Sequence, residues 1–207
     1  MVARTQEQRK AETRRRLIDA AADLFARKGY AGVSAEAVAD AADRTTGALY
    51  KHFGGKEGLL LALLEVWKEE TVEVLTAAFE RMPALDERLT AIWRSLNGAQ
   101  GRRGDAWLLL EMELWLQGVR DPVMAEPLAE RYRDIRRRLG EGLRDWAEQT
   151  GAPLRHAPDD AAALVLGLIV GAAVQHRLDP STMPDDLLLA GLADLIGTPS
   201  AARRQPD

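Results

Sequence analysis

The sequence contains no cysteine. That excludes a disulfide framework, a thiolate metal site and a cysteine nucleophile, and it fits a reducing compartment. Histidine is scarce as well, with only His52, His156 and His176 in 207 residues. There is no His-Glu-x-x-His pair, no Gly-x-Ser-x-Gly turn and no glycine loop of the kind that cradles phosphates. Glu111 and Glu113 lie among apolar residues but are too close in sequence to face one bond together. An enzyme is therefore not expected, and neither is a cofactor or a metal. Long apolar runs are missing too. The longest, Ala161 to Val174, has 14 residues, short of the ~20 a membrane span requires, so it reads as a buried helix. The opening Met1-Val2-Ala3-Arg4-Thr5-Gln6-Glu7 carries no apolar stretch of an export signal. The expected setting is cytoplasmic, with no membrane partner.

β-Branched aliphatic residues are few: Val (11) and Ile (5) stand against Ala (34) and Leu (30). Good helix formers in that excess predict an all-α protein. Charge is unevenly spread along the chain. Residues 1–58 hold 11 cations and 8 anions, a balance of +3, whereas the remainder carries −7 of the overall −4. A basic end on an acidic body predicts that the first quarter meets a polyanion.

About nine helices are expected. The first runs from about Glu7 to Lys28, because Leu17, Ile18, Ala21, Leu24 and Phe25 keep the spacing of one buried stripe and Gly29 follows Arg27-Lys28. Ser34 is a good N-cap for a second helix that reaches about Ala41, with Glu36 in its first turn. Ala42-Asp43-Arg44 separates it from a third, Thr45 to about His52, and Asp43 tolerates the left-handed backbone a sharp turn requires. Two short helices around a tight turn, braced by a longer one, make a helix-turn-helix. Gly54-Gly55 then breaks the chain before a long helix from Lys56 to Arg81. Further helices are expected at about 85–96, 105–119, 123–149, 159–177 and 185–196. The organisation read from this is a helix-turn-helix domain over 1–55, a helical body over 56–197 and a disordered tail over 198–207.

The stretch from Arg16-Leu17-Ile18-Asp19-Ala20-Ala21 through Leu24-Phe25 to Lys28-Gly29-Tyr30, then Val33-Ser34, Gly47-Ala48-Leu49-Tyr50-Lys51-His52-Phe53 and Lys56-Glu57-Gly58-Leu59, resembles the TetR family of transcriptional regulators. The likeness covers about residues 10–65. It implies contact with double-stranded operator DNA at Ser34, Thr45, Thr46, Gly47, Tyr50, His52 and Lys56. The residues support such roles independently. The third helix is short enough to lie in a major groove, its first residues reaching base edges. Arg44, Thr45 and Thr46 are those residues, and Gly47 permits close backbone approach. Tyr50, Lys51, His52 and Lys56 offer donors to phosphate oxygens, which position without reading sequence. Ser34 is either a phosphate contact at a helix N-terminus or simply a cap. Leu49 and Phe53 are expected in the core. Two positions depart from the family pattern. Asp43-Arg44 replaces Gly-Val, which leaves Arg44 either lying along the core edge or, as favoured here, facing DNA. Gly55 stands where a side-chain cap is common.

Single half-sites give little specificity, so a homodimer is expected. Ala163, Gly167 and Gly171 recur every four residues and Leu188, Leu192 and Leu195 form a stripe, a pattern suited to a two-fold four-helix bundle. The alternative is that the small residues pack within one subunit. Leu166 to Pro180, and Glu113-Leu114-Trp115-Leu116 leading into Arg120-Asp121-Pro122, resemble one C-terminal subgroup of the family, in which the Val170 position is often Asp. The family senses small-molecule effectors in this body. All five tryptophans lie there, and Trp67, Trp93, Trp107 and Trp115, with Glu111, Gln175 and His176, are the candidate ligand-binding residues; Trp146 is a further one, one of Glu111 and Glu113 but not both is expected to face inward, and ordinary core is the competing reading for each Trp. The function implied is a ligand-responsive repressor released from a palindromic operator by a small apolar or aromatic effector. A helical protein-interaction scaffold is the rival. It accounts for the Ala and Leu content but not for Tyr50, His52 and Lys56 clustered behind a helix-turn-helix.

Overall fold

The computed structural model describes residues 5–82, 84–97 and 104–197; the tail expected over 198–207 lies outside them. Among the described residues there are α-helices and no strands. The helices are α1 (Gln6–Lys28), α2 (Ala35–Ala41), α3 (Thr46–Phe53), α4 (Lys56–Arg81), α5 (Leu85–Asn97), α6 (Gly104–Arg120), α7 (Pro122–Thr150), α8 (Pro158–Leu178) and α9 (Asp185–Ile196). Each falls within a residue or two of its expected span.

Local chemistry sets the first boundaries. Thr5 Oγ1 accepts from the Gln8 N–H at 3.3 Å while Gln8 Oε1 accepts from the Thr5 N–H at 2.9 Å. This reciprocal cap starts α1 slightly earlier than the apolar stripe alone indicates. At the other end Gly29, with φ +72°, donates its N–H to the Phe25 carbonyl. Ser34 and Thr45 cap α2 and α3, accepting from the Ala37 and Ala48 N–H groups at 3.1 and 3.2 Å. Between them Asp43 takes φ +54°, the left-handed turn residue expected there.

The chain divides into two compact units, Met1–Lys68 with Asp105–Arg131, and Glu69–Gly104 with Tyr132–Asp207. This differs from a boundary at residue 55. Three short helices bury too little surface alone, and the core of the first unit continues past them. Leu17, Phe25, Val38 and Leu49 are packed with Leu59, Leu63 and Trp67 of α4, Leu110 and Leu114 of α6, and Met124 and Leu128 of α7.

In the second unit α8 and α9 pack together and both meet α5. Trp93 Nε1 donates to Asp185 Oδ1 at 2.7 Å, and the His176 ring stands edge-on to Trp93, 5.8 Å between centroids. Leu188 and Leu192, expected on a dimer surface, are instead core: with Ile196 they form the inward stripe of α9. Leu195 is half-buried. The apolar stretch of α8, expected as a buried helix, is buried on one face. Ala161, Ala162, Val165, Ile169, Val170, Ala172 and Ala173 face the core, whereas Ala163, Leu164, Gly167 and Gly171 are exposed. By length and composition α8 is apolar enough to cross a membrane, but its buried face packs within its own unit, as in the core helix of a bundle.

Candidate nucleic-acid interface

α3 is amphipathic over eight residues, and one side chain anchors it. Leu49 is fully buried and Phe53 packs beside the same cluster. The opposite side stays open. Thr45 and Gly47 are exposed, Thr46 is half-buried and Tyr50 is 53% exposed. A Cβ built on Gly47 would meet nothing closer than its neighbour Thr45 Oγ1 at 3.9 Å, so another surface can approach the backbone there. The Tyr50 ring and hydroxyl stand out from the head, an unusual place for a large aromatic without a partner.

Other expected contacts are placed differently. Lys56 Nζ donates to the Tyr30 and Val33 carbonyls, each at 2.9 Å, and lies 4.2 Å from the Tyr30 ring centroid. Two of its three N–H donors are thus engaged inside the head, tying the α1–α2 loop to the start of α4, so it is not the free phosphate donor expected. Arg44 is also drawn in. Its guanidinium donates to the Asp43 carbonyl, and its side chain is 24% exposed. In the free protein the guanidinium is thus held beside the α2–α3 turn, at the start of α3. Ser34 is exposed, but its hydroxyl caps α2 and also bonds the Glu36 carboxylate. Glu36's own backbone N–H and that hydroxyl hold the carboxyl below its usual range. The cap is the role seen for Ser34 in the free protein, and its side chain stays exposed. Lys51 is exposed and His52 half-buried, both near the C-terminal end of α3. Burial, then Lys10, Lys51 and Arg14, hold the His52 imidazole below its ordinary value.

The candidate ligand residues are divided between the two units. Trp67, Glu111 and Trp115 belong to the first unit, and Trp93, Gln175 and His176 to the second. Trp67 and Trp93 are core, as is Trp146, and the Trp93 N–H is bonded to Asp185. Trp115 is 38% exposed; the Trp107 side chain lies outside the described ones. Gln175 is exposed and its amide donates to the Gly171 carbonyl. His176 Nδ1 lies 2.8 Å from the Met183 carbonyl oxygen, so it donates within the fold. Glu111 is buried, as expected of one member of the Glu111/Glu113 pair, but its partner is Arg131, 2.6 Å away and buried with it. Sequence reasoning does not find Arg131, because the two stand on different helices 20 residues apart. Gly58 is a further position it leaves unexplained. A Cβ there would lie 1.9 Å from the Phe53 carbonyl oxygen, so only glycine fits where α4 starts against the end of α3.

Known proteins carry the same arrangement. Residues 17–63 match the model "Bacterial regulatory proteins, tetR family", and residues 85–198 match "BetI-type transcriptional repressor, C-terminal". The HTH-type transcriptional regulator UidR of Escherichia coli (strain K12) is 27% identical over 158 residues, 76% of each chain. Among solved structures, Salmonella enterica GusR is similar over 93% of this chain and 97% of its own, with a TM-score of 0.73 at 24% identity. A transcriptional regulator from Saccharomonospora viridis in complex with choline is similar over 90% and 96%, with a TM-score of 0.72 at 22% identity. With a helix-turn-helix head of this pattern and a body model matching over half its length, the chain belongs to the TetR family of transcriptional regulators.

Proposed function

We propose that the chain is a ligand-responsive repressor that binds a palindromic operator as a homodimer and is released by a small apolar or aromatic effector. The observation that carries the DNA reading is the open face of α3, where Thr45, Gly47 and Tyr50 are exposed beside a buried Leu49. Thr45, Thr46 and Gly47 at the helix start are suited to base edges. Tyr50, Lys51 and His52 are suited to phosphates. A dimer is supported by the exposed Ala163, Leu164, Gly167 and Gly171 of α8, an apolar face left uncovered among the described residues. That a small molecule is sensed is supported by the family and by the Saccharomonospora viridis relative, whose structure holds choline; the apolar or aromatic class rests on the tryptophan content of the body.

Release would be a shift between two states. An effector that binds one spacing of the recognition helices better than the other lowers operator affinity by that difference, typically ~1–3 kcal/mol. α4 runs unbroken from Lys56 to Arg81 through the boundary between the units, which makes it the natural lever. Fluorescence anisotropy on duplexes from the DNA upstream of the protein's own gene tests the proposal. Salt-sensitive binding that prefers one duplex over a scrambled copy is expected, and an effector should weaken it. Binding absent or indifferent to sequence would favour the scaffold. An effector that binds tightly and leaves DNA affinity unchanged would remove the lever.

A further inference from the structure

The first unit holds a second set of cations, on α1 beside the end of α3. The buried stripe of α1 runs through Leu17, Ala21, Leu24 and Phe25. Continued toward the N-terminus at the same helical spacing, it reaches Arg14 and then Lys10, both exposed. The Arg14 guanidinium lies 5.0 Å from the Phe53 ring centroid, and the His52 ring lies 6.0 Å from that same ring. Lys10, Arg14 and Lys51 all act electrostatically on His52. One side of α1 and the last turn of α3 therefore converge as a single positive patch.

The neighbouring cations of α1 are arranged differently. Arg15 pairs with Asp19 at 3.0 Å, Arg16 with Glu12 at 2.9 Å and Arg27 with Asp23 at 2.5 Å. Among the described residues, Lys10, Arg14 and Lys51 have no carboxylate within ion-pair distance. The negative end of the α3 dipole accounts for Lys51 and His52. It does not account for Lys10 and Arg14, which belong to another helix and lie toward that helix's positive end. Gathering like charges here works against folding, so the compensating charge is expected from outside the chain.

We propose that Lys10 and Arg14 of α1, together with Lys51 of α3, grip the phosphodiester backbone beside the groove that receives α3. This rests on the head being the DNA-binding part, and it adds α1 to the contact surface. Such contacts hold the register and read no bases.

The test is the salt dependence of full-chain binding to a labelled duplex of random sequence, between about 50 and 200 mM salt. Each phosphate contact contributes about 0.9 to the slope of log affinity against log salt. Lys10→Gln alone should lower the slope by about 0.9, and Lys10→Gln with Arg14→Gln by about twice that. Arg15→Gln with Arg16→Gln removes the same formal charge and should leave the slope at the parent value. Lys10→Arg with Arg14→Lys should keep it. The preference for an upstream duplex over the random one should not change in any of them. Arg14→Gln also gives up its stacking on Phe53, so the Lys10 single variant, which touches no ring, decides if the double variant is unstable. Equal losses in the paired and unpaired sets would mean a general field and would overturn the proposal. A parent that binds with an unchanged slope in the Lys10 variant overturns this inference alone. A parent with no salt-dependent binding overturns the DNA reading beneath it as well.

Discussion

Lys56 illustrates why single residues of the head are hard to assign from sequence. A lysine at the start of a helix behind a recognition helix reads as a phosphate contact. Its ammonium instead bonds the Tyr30 and Val33 carbonyls, 26 and 23 residues away in sequence. Only the fold brings those carbonyls together. Hydrogen bonds to a charged group are worth roughly 1.5–3 kcal/mol, and partial exposure reduces that. Lys56→Met should therefore lower stability by about 2 kcal/mol, read as a fall in the urea midpoint at constant slope. Its effect on the salt dependence of DNA binding should be small beside that of Lys10→Gln. A variant with parental stability and a reduced salt slope would restore the phosphate reading of Lys56. Asp43 is the opposite case. Its left-handed backbone, φ +54°, was legible because the requirement is local: a short polar side chain in a tight turn. Arg44 beside it was not, since a long side chain can lie along the head or leave it.

At the scale of elements the sequence says most. Period, caps and breakers locate the helices, because each signal acts within a turn or two of where it stands. At α1 the Thr5-x-x-Gln8 cap, itself a local signal, sets the start a residue ahead of the span the apolar stripe indicates. What escapes is which helix packs on which. The start of α4 and parts of α6 and α7 complete the core of the first unit, although the breaker Gly54-Gly55 suggests a division there. Gly58 shows how tight that junction is. Its Cβ position lies 1.9 Å from the Phe53 carbonyl oxygen, a backbone atom that cannot swing aside. Gly58→Ala gains helix propensity within α4 yet should destabilise the protein by about 2 kcal/mol or more, as overpacking does. Amide exchange should rise first in α3, whose last turn the new methyl group displaces. Unchanged stability would mean that the α3–α4 junction is looser than these distances imply.

At the scale of the whole molecule, the proposed dimer is tested at α8. Small residues at four-residue spacing are legible in the sequence, and the structure leaves Ala163, Gly167 and Gly171 exposed. The sequence pattern did not separate the face used inside the chain from the face left open. Leu188 and Leu192 of α9 belong to the former, Gly167 and Gly171 of α8 to the latter. Cβ atoms built on those two glycines meet nothing within 4 Å, so a side chain there is accommodated by the isolated chain. Replacing glycine in a helix interior is worth up to about 1 kcal/mol of stability. Gly167→Gln should accordingly raise or preserve the melting temperature of the monomer while blocking the approach of a second α8. Mass by light scattering should fall from dimer to monomer. Operator affinity should drop about a hundredfold or more, because linkage of two half-sites supplies that factor without any new contact. Monomer stability holds or rises while mass and operator affinity fall, so a folding defect cannot imitate the result. If the variant keeps both its mass and its operator affinity, the exposed face of α8 is not where the subunits meet.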